Sequence, residues 1–223
     1  MGMQKNSTLR RLKEQERETR RTIIIEAAER VFATTPFNKV NMRDIAKEAG
    51  ISPASIYRYF PDQQNLFLQS LIREIQGISA RIDEFVQVDS EEGLEKGAAA
   101  FLDFMIERDQ YFRMMTHFIL DADLKPELLI EINTIVRTLL EKVDVLFTRR
   151  GIKQPRLLSH AFLAALNGIL ITFHNYPGRS KEEVREHMHH LGRIMALLFN
   201  TGIKTEHANA LTTQLQTSAP KID

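Results

Sequence analysis

Cysteine is absent from the 223-residue chain, which excludes both a disulfide framework and a thiolate metal site and fits a reducing compartment. The first twenty residues are polar and basic and contain no apolar core of the kind a secretory signal needs. The longest apolar run, "AFLAALNGILITF" at 161–173, is interrupted by Asn167 and falls short of the roughly 18–20 residues of a membrane span. A soluble, cytoplasmic protein without membrane association is therefore expected. Strand-like alternation is scarce as well. Catalytic signatures are equally missing: no cysteine nucleophile, no phosphate-cradling glycine loop, and no Ser/His/Asp set in a recognisable context. No enzymatic activity and no cofactor are expected.

What the chain does contain is enough apolar material for a core, 43% hydrophobic against 26% charged residues. Its net charge of +1 conceals an asymmetry. Residues 1–60 carry 12 basic and 7 acidic side chains, net +5, and the rest 18 against 22, net −4. A basic front on a mildly acidic body points to an anionic partner for the front.

Apolar residues recur every three to four positions almost throughout, which predicts an all-α fold. A helix over 21–33 pairs Ile23/Ile24, Ala27/Ala28 and Val31/Phe32, and the polar "LRRLKEQERETRR" before it either continues that helix or forms an arm. Asn41 begins a second helix as N-cap, with Asp44 suited to its positive end and Gly50 to its exit. Ser52 and Pro53 open a third, expected to close near Phe60 and Pro61. Two short helices joined by a glycine-containing turn and packed on a longer one make a helix-turn-helix unit, whose second short helix enters the DNA major groove. Ile56 and Phe60 would face the core. Tyr57 and Tyr59 would then offer hydroxyls to phosphates, and Arg58 a charge near the backbone or a base edge. Further helices are expected near 63–87, 93–108, 110–121, 126–149, 155–175 and 181–202.

"IIIEAAERVF" followed by "VNMRDIAKEAGISPASIYRYFPDQQNL" resembles the N-terminal DNA-binding domain of the tetracycline-repressor (TetR) family of bacterial transcriptional regulators. The resemblance covers about residues 21–67. It implies an N-terminal three-helix DNA-binding domain, a C-terminal helical bundle that binds a small effector, and a homodimer acting on an operator in double-stranded DNA. By position, Asn41 and Arg43 match residues near the DNA backbone. Ser52, Ala54 and Ser55 match the first turn of the recognition helix, and Tyr57 and Tyr59 its contacting aromatic positions. The sequence departs from the family pattern at Pro36 (usually glycine), Asn41 (usually threonine) and Gln63 (usually a lysine that meets phosphate).

The expected organisation is a basic arm or helix extension at 1–20, the DNA-binding domain at 21–66, an effector and dimerisation domain at 67–204, and a polar tail at 205–223. Phe101, Phe104, Met105, Phe112, Met115, Phe118, Phe147, Phe162 and the polar Asn167 are candidates for an effector pocket. Aromatic and methionine residues at helical spacing also make ordinary core, and Asn167 suits a register-setting pair equally well. Val184, Met188, Leu191, Met195 and Leu198 step 4, 3, 4, 3, a heptad-like dimer seam, while the stripe Ala161, Ala164, Ala165 and Gly168 permits close helix approach. His187 with His190, three apart, and Glu186 with His190, four apart, could each share a helix face and hold a divalent cation, but a third ligand from another helix is not marked, and solvated or interface histidines account for them better. Two functions follow: a repressor released by a small apolar effector, or an effector-independent DNA-binding interaction protein on the same scaffold.

Overall fold

The computed structural model describes residues 2–86, 90–121 and 124–201. Among them the regular structure is helical: α1 Gly2–Thr34, a 3₁₀ turn Phe37–Lys39, α2 Met42–Glu48, α3 Pro53–Ile56, α4 Gln63–Val86, α5 Ser90–Glu107, α6 Asp109–Asp121, α7 Pro126–Thr148, α8 Arg156–Phe173 and α9 Lys181–Thr201. The basic stretch before residue 21 continues α1 as helix. The tail expected at 205–223 lies outside the described residues.

The helices group into two compact units. One comprises Met1–Glu74 with Asp109–Ile132, the other Ile75–Arg108 with Asn133–Asp223. In the first, α1 packs on α2 and α6, and α2 on α3. Ile24, Ala27, Ala28 and Phe32 of α1 bury against Ile45, Ala46, Ile56 and Phe60 in the core of the unit. Pro36 fixes an extended residue after α1, and the following 3₁₀ turn drives Phe37 inward. There it stacks on Phe32 at 5.7 Å and meets Phe67 edge-on at 5.1 Å, while Phe32 and Phe67 meet at 5.2 Å. Such aromatic pairs add about 0.5–1.5 kcal/mol each beyond their burial. From α6, His117 Nδ1 lies 3.1 Å from the Phe32 carbonyl.

In the second unit α9 packs against α5 and α8. The face α9 turns inward is Val184, Met188, Gly192 and Ala196, a strict spacing of four. A Cβ at Gly192 would stand 2.6 Å from Leu102 Cδ1, so glycine sets the closeness of α5 and α9 at this point. The heptad-like seam is therefore not one face. Val184 and Met188 belong to the protomer's own core, whereas Leu191 and Met195 are half-buried and Leu198 is exposed. The capping box holds as expected: the Ser180 backbone and hydroxyl both donate to Glu183 Oε2, at 2.7 and 2.8 Å.

The apolar run of 161–173 lies in α8, within the bounds expected for that helix at 155–175. At 18 residues with mean hydropathy 1.4, α8 as a whole has the length and composition of a short membrane span, although the apolar run itself is shorter. Its surroundings are those of a bundle helix: Phe162 joins Phe147 and Phe199 in an aromatic cluster at 5.2–6.2 Å. At its start, Arg156 pairs with Asp144 and Ser159 donates to the same carboxylate. Only 28% of α8 is buried, however, so one side of it remains open. That side carries His160, Ala161, Ala164, Gly168 and Ile171.

Asp62 closes the start of α4. Its carboxylate accepts from the Asn65 backbone N–H at 2.8 Å and pairs with Lys125 at 2.6 Å. Partial burial would raise its pKa, but the Lys125 and Asn65 hydrogen bonds outweigh burial and hold it below the ordinary carboxylate value. The stabilisation is present above that ordinary value and is lost as pH falls through the depressed one. Asp62→Ala is expected to cost about 1 kcal/mol, the worth of a helix cap. Asp62→Asn should keep most of the cap while flattening the acid limb of the unfolding curve, as thermal melts between neutral and acid pH will show.

Candidate nucleic-acid interface

Each turn of the helix-turn-helix unit is dictated locally. Asn41, in extended conformation, accepts from the backbone N–H groups of Arg43 and Asp44 at 3.0 and 3.1 Å, and its amide donates to Asp44 Oδ2 at 2.6 Å. At the other end of α2, Gly50 takes φ +67°, a conformation that costs a side-chain-bearing residue roughly 1–2 kcal/mol. Its N–H reaches the Lys47 carbonyl at 3.1 Å and that of Ile51 reaches Ala46 at 2.9 Å, the paired bonds of a glycine-terminated helix. The chain thereby reverses into Ser52, whose hydroxyl accepts from Ser55 N–H at 3.2 Å with Pro53 in the first helical position.

The third helix is shorter than expected. It ends at Ile56, not near Phe60, and Tyr57–Tyr59 continue as a tighter turn with Arg58 N–H bonded to Ser55 O and Tyr59 N–H to Ile56 O. Phe60 N–H still reaches the Ile56 carbonyl at 3.1 Å, and Pro61 closes the segment there, since it disfavours helical geometry at the residue before it. Ile56 and Phe60 are nonetheless buried as anticipated.

All eight residues read from sequence lie on this unit's surface or at its edge. Arg43, Ala54, Tyr57 and Arg58 are exposed, Tyr57 at 55%, and Tyr59 and Ser55 are half-buried. Asn41 and Ser52 are exposed too, but their side chains are spent on capping, and the Ser52 and Ser55 hydroxyls stand 2.8 Å apart. The Gln63 side chain, where the resemblance led one to expect a lysine, is committed within the unit. It donates to the Phe37 carbonyl and so serves the fold of its own unit.

Three basic residues were not singled out by the sequence reading. Lys13, Arg17 and Arg20 of α1, with Glu16, line a groove of about 540 Å³ whose remaining wall is Arg58 and Tyr59. Arg21 ties α1 to this wall, donating to the Tyr59 carbonyl at 3.3 Å and lying 4.7 Å from the Phe60 ring. Arg20 is raised above its ordinary pKa, first by its hydrogen bond to Glu16 and to a smaller degree by Tyr59. The missed signal was the spacing of these residues, which prolongs the α1 face that holds Ile24 and Ala27.

Of the candidate pocket residues, Phe112, Met115 and Phe118 fall in the first unit and the others in the second. Phe118 falls within α6, but its side chain lies outside the described residues. Phe101, Phe104, Met105, Phe147 and Phe162 are buried; Phe104 packs between the Arg81 and Arg108 guanidiniums. Asn167 is half-buried and donates to the Leu163 carbonyl one turn back at 2.9 Å. A second cavity, about 370 Å³, is charged: Glu95, Glu182, Arg185, Glu186, His189, His190 and Arg193 line it between α5 and α9. No three His, Asp or Glu side chains among the described residues converge to hold an ion, and His187 rests edge-on against Phe173 at 4.8 Å.

Residues 24–69 match the family model described as bacterial regulatory proteins, tetR family. The likeness to that family covers the helix-turn-helix unit and the start of α4. An HTH-type transcriptional regulator of Haemophilus influenzae is 38% identical over 55 residues, 25% of this chain and 27% of that one. The HTH-type transcriptional activator FasR of Mycolicibacterium smegmatis is 27% identical over 101 residues, 44% and 46% of the two chains. The match thus spans less than half the length of either curated relative. The fold extends further: the transcriptional regulator FadR of Bacillus subtilis, solved in complex with stearoyl-CoA, superposes with TM-score 0.68 over 82% of this chain and 99% of its own, at 19% identity.

The left-handed turn at Gly50 gives the interface a direct structural test. Gly50→Ala should lower stability by roughly 1 kcal/mol through backbone strain alone, because nothing lies within 4 Å of the added Cβ. Chemical denaturation should register the loss with helical content unchanged.

Proposed function

We propose that this chain is a transcriptional repressor of the tetR family that binds a palindromic operator as a homodimer and is released by a small apolar effector. One observation carries the DNA-binding reading. A capped recognition segment, aimed by Gly50, presents Tyr57 and Arg58 to solvent beside a groove lined by Lys13, Arg17 and Arg20. The hydroxyl and guanidinium donors suit phosphate oxygens, and the cations displace condensed counterions.

The dimer reading rests on the second unit. The open side of α8, with Ile171 at 61% exposure, has its counterpart on α9 in Ile194, Leu197 and Leu198, each about half exposed. Apolar residues on neighbouring helices, with Ala161, Ala164 and Gly168 allowing close approach, suit a four-helix interface between two copies. Two recognition segments related by a two-fold axis would read half-sites whose centres lie about 34–36 Å apart, or a multiple of that.

The effector reading draws on the bound stearoyl-CoA of the FadR neighbour, a property of that protein, and on the aromatic and methionine content of α5, α7 and α8. Dense packing of Phe104, Phe147 and Phe162, each at most 2% exposed, favours a second reading, in which DNA is bound without any effector. Linkage distinguishes the two. An effector that weakens DNA binding by 5–150-fold, about 1–3 kcal/mol of coupling, must itself be weakened equally by operator DNA. Calorimetric titration of fatty acids and acyl-CoA thioesters, with and without operator, should give different affinities; equal affinities across these ligands would favour the effector-independent protein.

Two substitutions test the remainder. Tyr57→Phe should weaken operator binding by about 0.5–1.5 kcal/mol, one net hydrogen bond, with circular dichroism unchanged. Leu198→Asp should turn the dimer to monomer in sedimentation and abolish operator binding at concentrations that saturate the wild type.

A further inference from the structure

One face of α1 changes character along its length. Between Ile24 and Phe32 it is core. Followed toward the N-terminus at the same three- and four-residue spacing, it carries Arg20, Arg17, Lys13 and Arg10, all exposed. The stripe therefore leaves the core in register and becomes cationic where it passes the end of the recognition segment. Lys13, Arg17 and Arg20 share their groove with Arg58 and Tyr59, and the acid lining it, Glu16, is bound to Arg20 at 2.7 Å.

We propose that the exposed half of α1 is a second DNA-contacting element, in which Lys13 and Arg17 bind backbone phosphates flanking those within reach of Tyr57 and Arg58. This rests on the DNA-binding reading above and extends its contact surface. Charge complementarity selects the occupant. The groove gathers four cations around one already paired carboxylate, so its own field opposes the arrangement until an anion enters. Its lining holds no aliphatic side chain, which leaves an amphipathic peptide or an acyl chain nothing to bury there. It is also continuous with the recognition segment through Arg58 and Tyr59, as a surface following one duplex backbone must be. Such contacts position the protein and carry no sequence information.

The test uses the full chain and a random-sequence duplex of about 30 base pairs, with affinity followed by fluorescence anisotropy across a salt series. Each phosphate contact contributes about 0.9 to the slope of log affinity against log salt. Lys13→Gln/Arg17→Gln should reduce that slope by close to 2 for each subunit bound. Glutamine keeps the helix propensity of the residues it replaces, and thermal unfolding should be unchanged. A charge-matched control, Arg11→Gln/Lys181→Gln, removes exposed cations elsewhere, Arg11 from the opposite side of α1, and should leave the slope at its wild-type value. Wild-type protein that binds no DNA would bring down the regulator reading and this inference with it. Wild-type protein that binds with a steep slope, the same in the Lys13/Arg17 variant, would overturn this inference alone. Binding to anionic phospholipid vesicles, lost in that variant while its DNA slope stays intact, would overturn it in favour of a membrane surface, with exposed Leu9 and Leu12 as the inserted residues.

Discussion

The mutual packing of Phe32, Phe37 and Phe67 holds together everything that faces the candidate DNA surface. These three rings come from α1, from the turn behind Pro36 and from α4. They fix the middle of the first unit, to whose core α2 adds Met42, Ile45 and Ala46, α3 Ile56, and the turn after it Phe60. Elements of seven and four residues are far too short to be stable helices alone. Their conformation follows from caps at both ends and from burial against a platform that already exists. Loss of one ring would therefore reach the recognition segment without touching it.

The same economy explains why polar groups near the turn are committed to the protein itself. Asn41 and Ser52 satisfy orphan N–H groups at helix starts, Asp62 does so for α4, and Gln63 satisfies the Phe37 carbonyl. What remains pointing outward is narrower in chemistry than the surface as a whole: a phenol at Tyr57, guanidiniums at Arg43 and Arg58, and the basic side of α1. With the capping side chains spent on the fold, the outward-facing groups are mainly cationic, Arg20 alone of those on the α1 face in the groove being tied to an acid there, Glu16.

Much of this was legible from sequence because it is encoded within four residues. The Asn41 and Ser52-Pro53 caps, the Gly50 exit and the Ser180/Glu183 box each declare a boundary through their own chemistry, and the helices begin and end within a few residues of those signals. The misreadings arose where a distant neighbour decides. Nothing near Gln63 announces that the Phe37 carbonyl will be waiting for its amide. Val184 and Met188 fit a heptad seam until Leu102 approaches Gly192 and rotates the buried face to a spacing of four. The basic face of α1 was hidden because its charges, read linearly, are interleaved with acids, and only the helical projection separates them.

The length of α1 has an energetic consequence of its own. At 33 residues it extends about 50 Å, and its first half draws on local bonds such as the Glu16–Arg20 pair, the described side chains from Thr8 to Arg20 all being exposed. Because that half elongates from a turn already fixed in the core, it avoids the nucleation cost that makes isolated helices of this size marginal. Its order is nonetheless set residue by residue, melting from the N-terminus while the packed half stays intact. Heat should thus erode helical content gradually before the cooperative transition begins, a sloping pre-transition baseline that belongs to this one segment.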